Sequence, residues 1–154
     1  MQKSKTTMAD EKRYIIELGE RQLRALSYVC DMFPRLIEGQ LDIALQPILE
    51  QSWEKRHPEW HDAEKDAWYD MRDETEEALN GMRQKYWGLT GGTYYGIHYD
   101  DYADMIWDMH QVIRHALWLG HTEAQKERSK WTVDAFPASQ ISDEPLIVVK
   151  PKEE

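Results

Sequence analysis

The chain predicts a mainly α protein, an antiparallel bundle of about three to four helices with a minor β element. Three observations carry that expectation. Long stretches place apolar residues at steps of three and four, the period of one helix face. Glycine and proline punctuate those stretches. Short β-branched pieces occur only near the two ends of the chain.

In chain order, residues 1–12 form a polar arm rich in lysine and threonine, expected to be disordered. Arg13–Leu18 (RYIIEL) reads as one strand, ended by Gly19. Leu23, Leu26, Cys30, Phe33, Ile37, Leu41, Ala44, Leu45 and Ile48 then keep helical phase across Pro34. That phase predicts one helix kinked at the proline, which removes a backbone donor and crowds the preceding turn. Gly39, beside Gln40, is read as a point of close approach by another backbone or by a ligand, close helix packing being the commoner. Ser52–Asp62 is a connection, with Asp62 as N-cap of a helix over 63–87. The core seam of that helix is Trp68, Met71, Thr75, Ala78, Met82 and Tyr86. Leu89–His98 is a glycine-rich loop.

A third long helix is predicted over 100–119, capped by Asp100 or Asp101. Its core face reads Tyr102, Met105, Ile106, Met109, Val112, Ile113, Ala116 and Leu117. After Gly120 the chain turns polar. Trp131–Phe136 and Pro145–Lys150 read as β-like pieces that would join RYIIEL in a small sheet. Residues 13–150 are taken as a single domain and 151–154 as a solvated tail.

Composition bounds the function. The 154 residues carry a formal net charge of −10, with 41% hydrophobic and 31% charged residues. Non-specific nucleic-acid binding and attraction to an anionic membrane both need lysine and arginine in excess, so neither is expected. The single cysteine, Cys30, cannot close an internal disulfide and lies on an apolar stripe, which fits a reducing, cytoplasmic setting. Seven tryptophans and eight tyrosines against two phenylalanines suit interfaces and stacking surfaces as well as core seams.

One helix face concentrates groups that bind or ionise. Asp104, Asp108, Gln111 and His115 fall at steps of four, three and four, flanked by Trp107, Arg114 and Trp118. Rings stack, guanidinium pairs with phosphate, and amide or carboxylate reads polar edges, so the face has the parts to grip a nucleotide-like molecule. The competing reading is a half-exposed face of local Asp–His pairs. With Tyr95 and His98 of the preceding loop, Trp107, Asp108, Gln111, Arg114, His115 and Trp118 make up the candidate ligand-binding set.

Metal chemistry is not favoured and no cofactor is expected. His57 and His61 have i,i+4 spacing but enclose Pro58. Glu74 and Glu77 on one helix with Asp101 and Asp104 on the next would be the magnesium ligands of an all-α nucleotide pyrophosphatase-like hydrolase, the alternative reading. No nucleophile elbow or phosphate-binding loop is present in the sequence.

Five pieces together resemble a family of small uncharacterised phage and prophage proteins. They are RYIIEL, Gly39-Gln40, Tyr95-Gly96-Ile97-His98, the C-terminal helix motif Gln111-Val112-Ile113-Arg114-His115, and Thr132-Val133-Asp134. His110 stands where that family more often has tyrosine, and Pro34 departs from its first helix. The resemblance implies a phage-encoded accessory protein and brings no established activity; with the tryptophan and tyrosine load and the acidic balance, the expectation is a non-enzymatic protein of the host cytoplasm. It would act by binding, either sequestering a nucleotide-like host signal or blocking a host protein, and would self-associate. A structural or assembly role is the third reading.

Overall fold

A computed structural model describes residues 14–58 and 65–150. The predicted arm 1–12, the N-cap Asp62, His61 and the tail 151–154 lie outside the described residues. Five α-helices occur among those described: α1 Glu20–Ile37, α2 Leu41–Arg56, α3 Lys65–Trp87, α4 Asp101–Leu119 and α5 Glu123–Ser129. A single 3-10 turn, Val133–Ala135, follows.

The centre of the fold is α1 packed on α4, with α2 against α1 and α3 against α2. Ser27 meets His110 in mid-helix, while the carbonyl of Glu38 at the end of α1 accepts from Tyr95 N just before α4. The two helices therefore run antiparallel. Cys30, Met32, Leu41, Ala44, Leu79, Ala103 and Ile113 form the buried apolar core. Cys30 packs there as its stripe position predicts, and burial pushes its thiol up from the ordinary range.

The predicted kinked helix is two helices. α1 continues through Pro34, and the chain breaks at Gly39, whose φ of 79° lies in the left-handed region. Gln40 N donates to Arg35 O and Gly39 N to Leu36 O, the paired bonds of a Schellman stop. The close approach at Gly39 is made by side chains and not by another backbone. A Cβ there would lie 2.7 Å from Leu89 Cδ1, and the Trp87 ring is the next neighbour. Trp87 Nε1 donates to Ile37 O and Tyr95 Oη to Trp87 O, so the ends of α1 and α3 and the glycine loop are tied together.

Two seams differ from their sequence readings. In α3, Ala78, Met82 and Tyr86 face out, and Leu79 and Arg83 are buried instead. The Arg83 guanidinium bonds Asn80 Oδ1 and the carbonyl of Thr93, which a purely apolar stripe does not anticipate. In α4, Tyr102 is exposed while Asp104, Asp108 and Gln111 are buried. The burial is rotated toward the polar side of the helix.

The minor β element is not present among the described residues, where no strand is formed. Val133–Ala135 folds as a turn closed by Thr132 N to Ser129 O and Ala135 N to Thr132 O. Residues 14–19 and 145–150 carry no assigned element. β-branched residues favour a pleated, half-buried surface, and without a paired neighbour that preference has nothing to act on. The helix α5 is an addition to the sequence reading, opened by a capping box between Thr122 and Gln125. No described helix is long and apolar enough to cross a membrane.

Candidate functional site

The helix α4 starts where the aspartates predict. Asp100 Oδ1 accepts from Ala103 N at 2.9 Å and caps the first turn. One turn on, the buried carboxylate of Asp104 accepts from His98 N at 2.9 Å and faces His98 Nδ1 at 3.2 Å. That pairing holds His98 at a φ of 68°, a strained conformation for a side chain with a Cβ. It also fixes the loop that enters the helix. Tyr95 and Tyr99 stack in that loop with centroids 3.9 Å apart.

Further along the same face, Asp108, Gln111 and His115 all bond backbone. Asp108 accepts from Ile141 N, Ser142 N and Ser142 Oγ, at 3.0, 2.9 and 2.6 Å. Gln111 forms a reciprocal pair with Ser139, donating to its carbonyl at 3.1 Å and accepting from its N–H at 3.2 Å. His115 Nδ1 lies 2.9 Å from Asp134 O, a geometry in which the ring N–H donates. Arg114 pairs with the Asp134 carboxylate at 3.4 Å, and Trp118 Nε1 donates to Ser129 Oγ. The partners run from 134 to 142 as the helix runs from 115 to 108. An extended strap thus lies antiparallel on α4, its backbone satisfied by side chains rather than by a sheet.

The predicted ligand-binding residues are therefore brought onto one face, and residues 134–142 of the chain itself cover most of it. Trp107 lies off the strap, with the Arg35 guanidinium 5.7 Å from its ring centroid and His110 stacked obliquely beside it. Glu74 and Glu77 are exposed on α3, Asp101 is exposed, and Asp104 is committed to His98. Among the described residues no three His, Cys, Asp or Glu side chains are placed to hold a metal ion. A cleft of about 160 Å³ between α2 and α3, lined by Asp42, Gln46, Glu50, Arg72, Thr75 and Glu76, shares none of the predicted site residues.

Two arrangements were not foreseen from sequence. Ser27 Oγ lies 3.2 Å from His110 Nδ1, and His110 Nε2 lies 4.0 Å from Asp31. The order resembles a nucleophile triad, but Nδ1 is nearer to the Ser27 carbonyl, at 3.0 Å. That oxygen can only accept, so the ring N–H points to it and Nδ1 has no lone pair left to take the hydroxyl proton. The contact joins α1 to α4. Helical spacing could not reveal it, because Ser27 and His110 are 83 residues apart.

The second is Glu38, buried where α1 ends. Burial pushes its carboxyl above the ordinary carboxylate range. A hydrogen bond from Gln40 opposes this, the Asp104 charge adds to it and the Arg35 charge offsets it. Because the folded protein holds the proton more tightly than the unfolded chain, Glu38 costs stability as pH rises through the raised value. Glu38→Gln is therefore expected to raise Tm at neutral pH, since an amide oxygen still accepts from Gln40. The gain should vanish below about pH 4, where the unfolded carboxyl is also protonated. Thermal unfolding of both proteins across that range checks it. A variant less stable at neutral pH, or equally shifted at both ends, contradicts the assignment.

Compared with protein-family models, curated proteins and solved structures, the chain matches none. What the geometry defines is a helical protein whose central helix clamps its own C-terminal segment and holds a tyrosine loop in a fixed shape.

Proposed function

We propose that this is a non-enzymatic binding protein that engages a protein partner through the loop 94–102, in the manner of a phage accessory protein that blocks a host protein. The observation that carries the reading is the loop's surface. Tyr94, Ile97, Tyr99 and Tyr102 are all about half exposed or more, Tyr102 by 69%. Beneath them the backbone is anchored by Asp104, the Asp100 cap and the Tyr95–Tyr99 stack. Tyrosines on a rigid loop offer large amphipathic contact area at small entropic cost, because each ring has only two χ angles to fix. Aromatic anchors of this kind dominate protein interfaces.

A nucleotide-like ligand on the α4 face is the weaker half of the expectation, because Asp108, Gln111, Arg114 and His115 already spend their polar groups on residues 134–142. The hydrolase reading has no cation-holding cluster among the described residues to rest on.

A photo-cross-linking residue placed at Tyr94 or Tyr102, and as a control at the exposed Glu127 of α5, tests the reading in host cells. A discrete protein adduct is expected from the two loop positions only. No adduct, or the same adduct from Glu127, removes the loop as the binding surface.

A further inference from the structure

The tyrosine loop differs from the rest of the chain in what lies over its rings. Elsewhere the protein covers aromatic faces with its own cations. Arg35 lies 5.7 Å from the Trp107 centroid, Arg72 5.5 Å from Trp68 and Lys130 5.8 Å from Trp131. Immediately before the loop, Lys85 is spent in the same way on Tyr86, at 5.0 Å. Among the described residues no lysine or arginine stands over Tyr94, Tyr95, Tyr99 or Tyr102.

The sequence around the loop supplies no such cation. Between Lys85 and Arg114 there is no lysine or arginine, whereas Asp100, Asp101, Asp104 and Asp108 all fall in that stretch. Arg83 is buried, its guanidinium directed to Asn80 Oδ1 and the Thr93 carbonyl. Asp104 and Asp108 are buried and committed to His98 and to the strap. Asp100 and Asp101 are left beside the rings, in the run Tyr99-Asp100-Asp101-Tyr102, with Asp101 exposed. Tyr99 is backed by Tyr95 with the planes 1° apart and is still 48% exposed, so one face of its ring is turned outward. Tyr102 follows in the first turn of α4, 69% exposed.

We infer that the partner of this loop presents arginine side chains, which stack on the rings of Tyr99 and Tyr102 with the Asp100–Asp101 pair supplying the opposing charge. This rests on the reading of the loop as the partner-binding surface and adds the chemistry of what it binds. Arginine suits the site better than lysine because its planar guanidinium lies flat on a ring while its edge donates to a neighbouring carboxylate. An anionic or phosphate-bearing partner would meet two carboxylates and no base. The net charge of −10 on the whole chain draws a basic segment in from a distance, and the loop fixes where it docks.

The probes are short labelled peptides in which arginine alternates with serine, and versions with lysine or glutamate at the same positions. Anisotropy titrations on the full chain are expected to rank arginine above lysine, to show no binding of the glutamate peptide, and to weaken as salt rises. Tyr102→Leu should weaken the arginine peptide roughly tenfold, and Tyr102→Phe, which keeps the ring face, should bind as the unsubstituted chain does. Asp101→Asn should weaken it severalfold. Glu74→Gln, the same loss of charge at an exposed position on α3, should leave it unchanged. Equal binding of the arginine and glutamate peptides, no loss in Tyr102→Leu, an equal loss in Tyr102→Phe, or equal losses at Glu74 and Asp101 would overturn the inference. So would a host adduct from Tyr94 or Tyr102 that forms undiminished in lysate with excess arginine peptide, a result that leaves the loop standing as the binding surface. Failure of the loop reading itself shows differently, as no adduct from either position.

Discussion

Asp108→Ala is expected to free the C-terminal strap and to cost about 2–4 kcal/mol. The carboxylate is 3% exposed and receives two backbone N–H groups and a hydroxyl. Hydrogen bonds to a charged group are worth roughly 1.5–3 kcal/mol each, less what the freed strap recovers from water. At this chain length each kcal/mol lowers Tm by about 2–4 °C. The distinguishing readout is local. Amides of Ile141 and Ser142 should lose hydrogen-exchange protection, and the chain after Phe136 should become open to protease, before α1 and α4 unfold. If protection is lost uniformly, the strap is part of the main cooperative unit and not an element docked on it.

The other large effect is expected at Ile113, the largest fully buried side chain among the described residues, with no exposed area. Ile113→Ala removes apolar atoms where α4 meets the core and leaves a cavity, a change that typically costs 2–5 kcal/mol. Its neighbours along α4 are Gln111, pinned to the strap, and His110, pinned to α1, so little collapse into the cavity is available. The loss should therefore fall toward the upper part of that range, measured as the shift in urea midpoint at unchanged slope. Ile113→Val, which keeps most of the volume, should cost about 0.5–1.5 kcal/mol. A loss near zero for the alanine variant would mean that the α1–α4 contact does not close over this residue.

The comparison of sequence and structure divides along a physical line. Signals confined to a few residues were legible: Asp100 caps α4, and Gly39 marks a close approach. Gly39 also ends α1, which the unbroken apolar phase across Pro34 concealed. The capping box of α5 is equally local, a Thr-x-x-Gln spelled by Thr122 and Gln125, and a search for that pattern would have found it. On α4 the spacing correctly placed Asp104, Asp108, Gln111 and His115 together. It could not show that residues some thirty positions downstream would cover them. Periodicity states which side chains share a face; what packs on that face is decided by chain topology. Asp and Gln at helix spacing read as a ligand-binding or half-exposed face, and here the strap covers them and gives them backbone partners.

The long reach of the α1–α4 contact has a consequence for synthesis. The two residues that join these helices, Ser27 and His110, are 83 positions apart. At about 5–20 residues per second, α1 leaves the ribosome roughly 4–17 s before its partner has been made. Through that interval the side of α1 that meets α4 is uncovered. Folding must wait for a distant element, which slows it relative to a bundle built from neighbouring helices. A holding chaperone would find its target on this nascent chain in α1, and release would be timed by the arrival of α4.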